Sequence, residues 1–558
     1  MTHAPFGPLQ TLLEKIGPAS RPVLVVGLDG GTWDVLEPLC RQGVMPHLSE
    51  LCRRGVAAPL RSTTPWLTPA AWSTFLTGLE PQQHGIWDFF RLEQKQQTLV
   101  LNRSEHIRGE TLLERFELEG REAVSIDLPM TWPPPVPGAW VLGGFDAPNA
   151  SSVLEAAPQF AAALQRAGVP WLPHPRLDRV PQTPDQLQAT VESCRRVMAN
   201  RVQAAQVADS CRDWQLLIVQ FQALDGFQHR CWHFIEQAVR EGIDSSPEAT
   251  LCGRFFRYLD EQLGRLLQLA QRRNAAVVLL SDHGFGPNRG RLNVPGQLYR
   301  LGLLQPASGW ERLRFRLSRW GWKVRRWQHK RLRRCKTRTL PRPLRSQFAW
   351  DWGRSLVFPL HGDLGAMLYL NDRRRFDWGR PLSHSQRRRL VEETIQGLAG
   401  FRCPQTGELL WHAVRDLEEQ FQVDPVERGW PDLVAVPAPG WNTLSTRFPF
   451  REATCPENDL PGTHYPQGMF VLGGVPGLEN RGQSGLRTAG LRKGLALRDV
   501  ASVVLALAGL EMMRKPRHRS SASAPVKKLT TPVLPVTRLT TEQQEQIEQR
   551  LRSLGYLE

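Results

Sequence analysis

The feature that most restricts the fold is a series of short, almost wholly apolar runs: Val23–Leu28, Ala123–Ile126, Trp140–Leu142, Leu216–Phe221, Ala276–Leu280, Ala366–Leu370, Leu433–Val436 and Met469–Leu472. Runs rich in Val, Leu and Ile without polar alternation suit strands buried on both faces of a mainly parallel sheet. Between them the apolar spacing turns helical, over Val35–Gly55, Leu187–Asp213 and Cys252–Arg273. Alternating strands and helices predict an α/β fold, a mainly parallel sheet flanked by helices. In such folds, polar residues at the C-terminal ends of strands face the ligand crevice.

Composition narrows the setting. A hydrophobic fraction of 41% supports a sizeable core and excludes wholesale disorder. The longest apolar run, Val500 to Leu510, falls short of the ~20 residues of a membrane span. The N-terminal stretch has no basic start followed by an apolar segment, so no signal peptide and a cytoplasmic location are expected. Nine scattered cysteines without a CxxC pair indicate neither a disulfide framework nor a cysteine zinc site.

The net charge of +17 would suit a polyanion binder if it were spread over the surface. It is not. Glu311 to Arg345 holds 15 basic residues against one acid, a net +14 that leaves only +3 for the rest of the chain. Within it, Trp310, Leu313, Leu317, Trp320, Val324 and Trp327 recur at helical spacing, flanked by arginines. Three readings stand: a helix packed on the core, a peripheral helix on an anionic membrane surface with Arg325, Arg326, Arg333 and Arg334 as contacts, or a polyanion-binding element. Nucleic acid is not the expected partner, because no recognisable nucleic-acid module accompanies the basic residues.

Five places carry residues suited to chemistry, and each has a bland alternative. Asp29 ends the first strand beside Gly30 and Gly31, as a metal ligand or as the cap of the next helix. Thr68, followed by Pro69 and a helical pattern, reads as an N-cap or as a nucleophile where helix N–H groups favour phosphate. Asp225 and His229, four residues apart after a strand, can clamp one ion from a helical turn. Asp282 and His283 end another strand, and Gly284 permits a sharp turn there. His464 is expected in a loop before a buried strand. Together these residues make up the inventory of a two-metal phosphoryl-transfer site.

The stretches LDGGTWDVLEPLCRQGVMPHLSEL, TPWLTPAAWSTFLTGLEPQQHGIWDF, DGFQHRCWH, SDHGFG and GTHYPQGMFVLGG resemble the alkaline phosphatase superfamily, in particular its type I phosphodiesterase / nucleotide pyrophosphatase branch and related phosphohydrolase/phosphomutase-like proteins. They occur in that family's order across residues 23–474. The resemblance implies one metal on Asp29, Thr68, Asp282 and His283, and another on Asp225, His229 and His464. It also implies Thr68 as the nucleophile of a phosphothreonine intermediate. Zinc suits the mixed His and Asp ligation, with manganese as the alternative. The chain departs from the diesterase pattern at Ala71, where an Asn often touches phosphate, and adds Trp72 as a candidate substrate contact. No Cys/Ser-x-Pro-x-Arg context is present, which argues against a sulfatase.

The expected organisation is an alkaline-phosphatase-like core over 20–305 and 351–513, interrupted by the basic helical insertion 306–350 as a lid or membrane-surface element. A flexible linker over 514–539 and a C-terminal helix over 540–558, started by a capping box of Thr541 and Gln544, complete it. The expected function is metal-dependent hydrolysis of a phosphate ester, diester or monoester. The alternatives are a phosphotransferase acting on lipid- or glycan-linked phosphates, or a catalytically silent membrane- or polyanion-binding protein on the same scaffold.

Overall fold

In the computed structural model the described residues are 7–17, 20–309, 343–444, 453–455, 460–478, 495–511 and 539–554, without 176, 178, 363 and 477 and with 312, 313, 316, 317 and 320 added. The centre of the molecule is an eight-stranded sheet. From one edge to the other its strands are Leu495–Ala496, Val56–Arg61, Gln467–Gly473, Ala276–Leu280, Val23–Leu28, Leu216–Phe221, Ala123–Ile126 and Trp140–Leu142. All neighbours pair in parallel except Gln467–Gly473, which runs antiparallel to both strands beside it. The fold is thus α/β, with a mainly parallel sheet flanked by helices.

The three central strands are buried at every position, as their unbroken apolar runs require. Gln220 is the polar exception, lying inside the strand Leu216–Phe221. Two of the expected helical stretches are single helices, Pro184–Cys211 and Pro247–Arg272. The third divides into Trp33–Arg41 and Pro46–Arg54. Gly43, in a left-handed turn at φ 73°, and Pro46 at the next N1 position account for the break.

Two of the eight apolar runs belong elsewhere. Ala366–Leu370 and the Leu433–Pro437 strand pair antiparallel in a separate four-stranded sheet, ordered Val357–His361, Ala366–Leu370, Leu433–Pro437, Trp411–Asp416. Both are buried along their whole length, so their sequences look the same as those of central parallel strands. This sheet has its own apolar core, which includes Trp66, Trp87, Trp350, Trp352, Phe358, Phe376 and Trp430. A buried hydrogen bond joins it to the main body: Asp88 Oδ2 lies 2.5 Å from His361 Nδ1, whose Nε2 lies 2.8 Å from Tyr369 Oη within the smaller sheet.

At the C-terminal end of the described chain, Thr541–Leu554 forms a helix. Its capping box uses Thr540 and Gln543, one residue before the expected pair. Ile547 and Leu551 enter the main core, and Arg550 donates to the carbonyls of Phe145, Ala147 and Pro148. Of the linker expected over 514–539, residues 514–538 lie outside the described residues. So do Trp310, Val324 and Trp327 of the stripe, and Arg325, Arg326, Arg333 and Arg334. Leu313, Leu317 and Trp320 are described as helical and are 44%, 55% and 67% exposed.

The smaller sheet depends on Asp432. Its carboxylate accepts from Leu370 N–H at 2.8 Å and from the guanidinium of Arg375 at 3.2 Å, and it also pairs with Arg387. All three charged residues are at most 4% exposed. Asp432→Ala would take from buried Arg375 the carboxylate it pairs with, while Arg387 keeps Asp372 and Glu418, and is expected to destabilise the protein by about 3–5 kcal/mol, measured by urea denaturation.

Candidate metal centre

Three strand ends of the parallel sheet deliver the acidic groups. Asp29 follows Val23–Leu28, Asp282 follows Ala276–Leu280, and Asp225 lies in the first turn of the helix Ala223–Glu241 that leaves Leu216–Phe221. Asp29 is not a helix cap, since Thr32 takes that place for Trp33–Arg41. Thr68 is likewise no cap. Leu67 occupies the N-cap and makes no side-chain hydrogen bond there, and Thr68 is the first residue of the helix Thr68–Thr77. Its Oγ1 lies 3.3 Å from His283 Nε2.

His464 departs from its expected loop. It sits in the short strand Gly462–Tyr465, paired antiparallel with Gly284–Pro287, where it faces Phe285. That pairing stacks the His283 and His464 rings with centroids 3.5 Å apart. Gly284 is required here: a Cβ at this position would lie 1.9 Å from the Gln467 carbonyl oxygen.

Asp29, Thr68, Asp225, His229, Asp282, His283 and His464 are all at most 1% exposed, and the structure brings them into one cluster. Asp29, Asp282 and His283 offer ligand atoms within 4.8 Å of one another, and so do Asp225, His283 and His464. His283 therefore reaches both groups, whereas the resemblance assigns it to one. His229 Nε2 joins the second group, 3.5 Å from Asp225 Oδ1 and 3.0 Å from His464 Nε2.

Each carboxylate spends one oxygen on being held and turns the other inward. Asp29 Oδ2 accepts from Trp72 Nε1 at 2.9 Å and from Gln220 Nε2 at 2.7 Å. Asp282 Oδ1 accepts from Gly30 N–H at 3.2 Å, and Asp225 Oδ2 accepts from Gln222 Nε2 at 3.3 Å. Asp29 Oδ1 and Asp282 Oδ2 are then buried with no hydrogen-bond partner. Such atoms are costly unless a cation meets them.

The imidazoles are oriented in the same manner. His229 Nδ1 lies 2.9 Å from the Gly462 carbonyl, His283 Nδ1 3.0 Å from that of Gly284, and His464 Nδ1 3.4 Å from that of Trp66. A carbonyl can only accept, so each Nδ1 carries the proton and each Nε2 presents a lone pair to the cluster. Two lone pairs 3.0 Å apart, on His229 and His464, repel unless an electrophile lies between or beside them. Burial pushes both of these imidazoles down to about 3 and His283 well below its ordinary value. Neutral imidazole is the metal-binding form. Burial, then the neighbouring Asp282 and Asp225 carboxylates, holds Asp29 well above the carboxylate range. Burial also raises Asp282, with Asp225 adding to it. The donor set, the inward-facing oxygens and the neutral rings all fit divalent cations.

Several supporting residues escape a reading of the sequence. Gln220 is legible afterwards as the lone polar residue in an apolar strand, but Gln222 and Gln228, whose Nε2 donates to the Gly30 carbonyl at 2.9 Å, carry no such signal. Trp72, expected to meet substrate, lies fully buried and commits its only polar atom to Asp29. Gly27 makes that possible, because a Cβ there would meet the Trp72 ring at 2.7 Å.

Residues 23–334 match the family described as type I phosphodiesterase / nucleotide pyrophosphatase. No curated protein matches the chain. Among solved structures, the chain is similar to phosphonoacetate hydrolase from Sinorhizobium meliloti in complex with phosphonoformate, at 16% identity and TM-score 0.48, over 88% of this chain and 96% of that one. It is also similar to human ectonucleotide pyrophosphatase / phosphodiesterase 5, at 13% identity and TM-score 0.48, over the same shares of the two chains.

A carboxyl with a raised folded pKa costs stability as pH climbs above its ordinary value of 3.8, because folding then opposes loss of a proton that the unfolded chain gives up freely. Cation binding displaces those protons. The drop in Tm on chelation is therefore expected to widen from about pH 5 to about pH 8. Zinc titrations in two buffers of different ionisation enthalpy should show release of about one proton or more. A pH-independent drop with no proton release would contradict this account of Asp29 and Asp282.

Proposed function

The chain belongs to the type I phosphodiesterase / nucleotide pyrophosphatase family of the alkaline phosphatase superfamily and is a phosphoric ester hydrolase, and from that premise we propose that Thr68 is its nucleophile, working beside two divalent cations. The observation that carries this reading is the place of Thr68. It starts a helix, is wholly buried, and sets its hydroxyl 3.3 Å from His283 Nε2 within a cluster of carboxylates and neutral imidazoles. Asp29, Thr68, Asp282 and His283 would hold one cation, and Asp225, His229 and His464 the other. Bound there, zinc or manganese would favour the ionised hydroxyl and offset charge on the entering and leaving oxygens.

The chain's own groups do the rest. Leu67 supplies no side-chain cap to the Thr68–Thr77 helix, and the positive end of the helix dipole there favours an arriving phosphoryl group. Thr68 Oγ1 attacks phosphorus, the bond to the ester oxygen breaks, and a phosphothreonine is left. Water then cleaves the phosphothreonine, so one water is consumed for each ester bond broken. An alcohol in place of that water would make the same site a phosphotransferase. Trp72 and Gln220 hold Asp29, and Gly462, Gly284 and Trp66 fix the three imidazoles through their carbonyls.

The test is metal content by mass spectrometry together with turnover of bis-p-nitrophenyl phosphate and p-nitrophenyl phosphate. Thr68→Ala is expected to lower kcat on the order of 10³-fold or more while the protein stays folded. Retained turnover in that variant would end the threonine reading. The preferred ester separates diesterase from monoesterase.

A second observation favours a lipid-linked phosphate as substrate. Leu313, Leu317 and Trp320 fall on one helical face and are exposed, in the segment with the net charge of +14. Apolar residues flanked by arginines suit the surface of an anionic membrane. Replacing Arg325, Arg326, Arg333 and Arg334 with Glu is expected to abolish co-sedimentation with phosphatidylserine vesicles. Unchanged sedimentation would remove the membrane from the account.

A further inference from the structure

A buried series of hydrogen bonds runs from Asp29, in one candidate cation group, to Asp225, in the other. Gln220 Nε2 donates to Asp29 Oδ2 at 2.7 Å and to Gln222 Oε1 at 2.9 Å. Gln222 Nε2 then donates to Asp225 Oδ2 at 3.3 Å. Both glutamines and both aspartates are at most 1% exposed.

The carboxylates at its ends set the direction of the series. An ionised carboxylate only accepts, so each end must meet an N–H. Two amides in head-to-tail order would offer a donor at one end and an acceptor at the other. Gln220 resolves the conflict by spending both hydrogens of Nε2, one on Asp29 and one on Gln222. Its own Oε1 is then buried with no hydrogen-bond partner. An apolar side chain of the same size would fill this place in the strand without that cost. The amide is therefore kept for the bonds its nitrogen makes.

The backbones that carry the two aspartates are fixed by other means. The strands Val23–Leu28 and Leu216–Phe221 pair in parallel along their whole length. Gln228, in the helix that carries Asp225, donates from Nε2 to the Gly30 carbonyl at 2.9 Å. What the two amides govern is where the carboxylates point. With each Oδ2 held, Asp29 Oδ1 lies 3.5 Å from His283 Nε2, and Asp225 Oδ1 lies 3.1 Å from His464 Nε2 and 3.5 Å from His229 Nε2.

We propose that Gln220 and Gln222 are positioning residues that set Asp29 and Asp225 as one unit and so tie the two cation groups together. Because one nitrogen is shared between Asp29 and Gln222, the loss of either amide loosens both carboxylates. The inference rests on the two-cation reading above and adds to it that neither group is built independently of the other.

The test is zinc titration of the metal-free full chain in competition with a chelating dye, with native mass spectrometry to count ions per chain. The wild type is compared with Gln220→Met, Gln222→Met and the double variant, since methionine keeps the length of glutamine and removes its hydrogen bonds. Melts of the metal-free proteins report on folding separately. Each single variant is expected to bind zinc more weakly at both steps, on the order of tenfold at each. The double variant is expected to stay within about threefold of the weaker single variant, because one substitution already breaks the series. Weakening at one step alone, losses that multiply in the double variant, or a lowered melting temperature with zinc affinity unchanged would overturn the coupling and leave the two-cation reading in place. A wild type that holds no zinc would end that reading, and the coupling with it. Either single variant carries the two-step comparison if the other fails to fold.

Discussion

Three carboxylates buried together at the C-terminal edge of a parallel sheet are the constraint from which the rest of this molecule follows. Asp29, Asp225 and Asp282 have essentially no contact with solvent. An ion taken out of water without compensation costs several kcal/mol even after relaxation. The protein lowers that cost only in part, through one oxygen of each carboxylate, and leaves the remainder to a cation. Three imidazoles held neutral by burial and oriented by their carbonyl partners complete a set of donors that is poorly matched to itself and well matched to divalent metal.

That arrangement explains features which are otherwise odd. A glycine in the middle of a buried central strand, Gly27, weakens the strand locally, yet it lets the Trp72 ring and Gln220 close on Asp29. Gly284 and Gly468 let the Gln467–Gly473 strand come close enough to His283 to seat the His464 strand beside it. A Cβ on Gly468 would lie 2.2 Å from Ser281 Oγ. The antiparallel strand in a parallel sheet is therefore part of the site. It brings His464 back from a point far along the chain to the edge where the parallel strands end.

Much of this was legible before any coordinates. Six of the eight apolar runs lie in the central sheet, and the seven residues singled out for chemistry gather in one place, because strand ends in an α/β fold converge by topology. What escaped has physical causes. Ala366–Leu370 and Leu433–Pro437 are buried on both sides like central strands, so apolar pattern alone could not assign them to a second, antiparallel sheet. His464 read as a loop residue because a four-residue strand beside Pro461 and Pro466 has almost no periodicity to show. The capping box slipped by one because Thr540 and Thr541 are adjacent and Gln543 and Gln544 are too. Trp72 looked like a substrate contact because a sequence shows that an indole is near Thr68, not which way its N–H points.

Buried polar groups link the segment after the Thr68–Thr77 helix to the smaller sheet. His84 holds the turn after that helix: it accepts from Ile86 N–H at 3.1 Å through Nδ1, so its Nε2 carries the proton toward Thr74 Oγ1 at 3.0 Å. Four residues on, Asp88 engages His361, and His361 engages Tyr369. Every member of this series is at most 6% exposed. Hinging the smaller sheet away from the Thr68–Thr77 helix would have to break the Asp88–His361 bond and expose an aspartate and an imidazole that the interior keeps dry. The cost of such an opening makes the two sheets one packed body at this junction. A rigid-body hinge about residues 84–88 is therefore disfavoured.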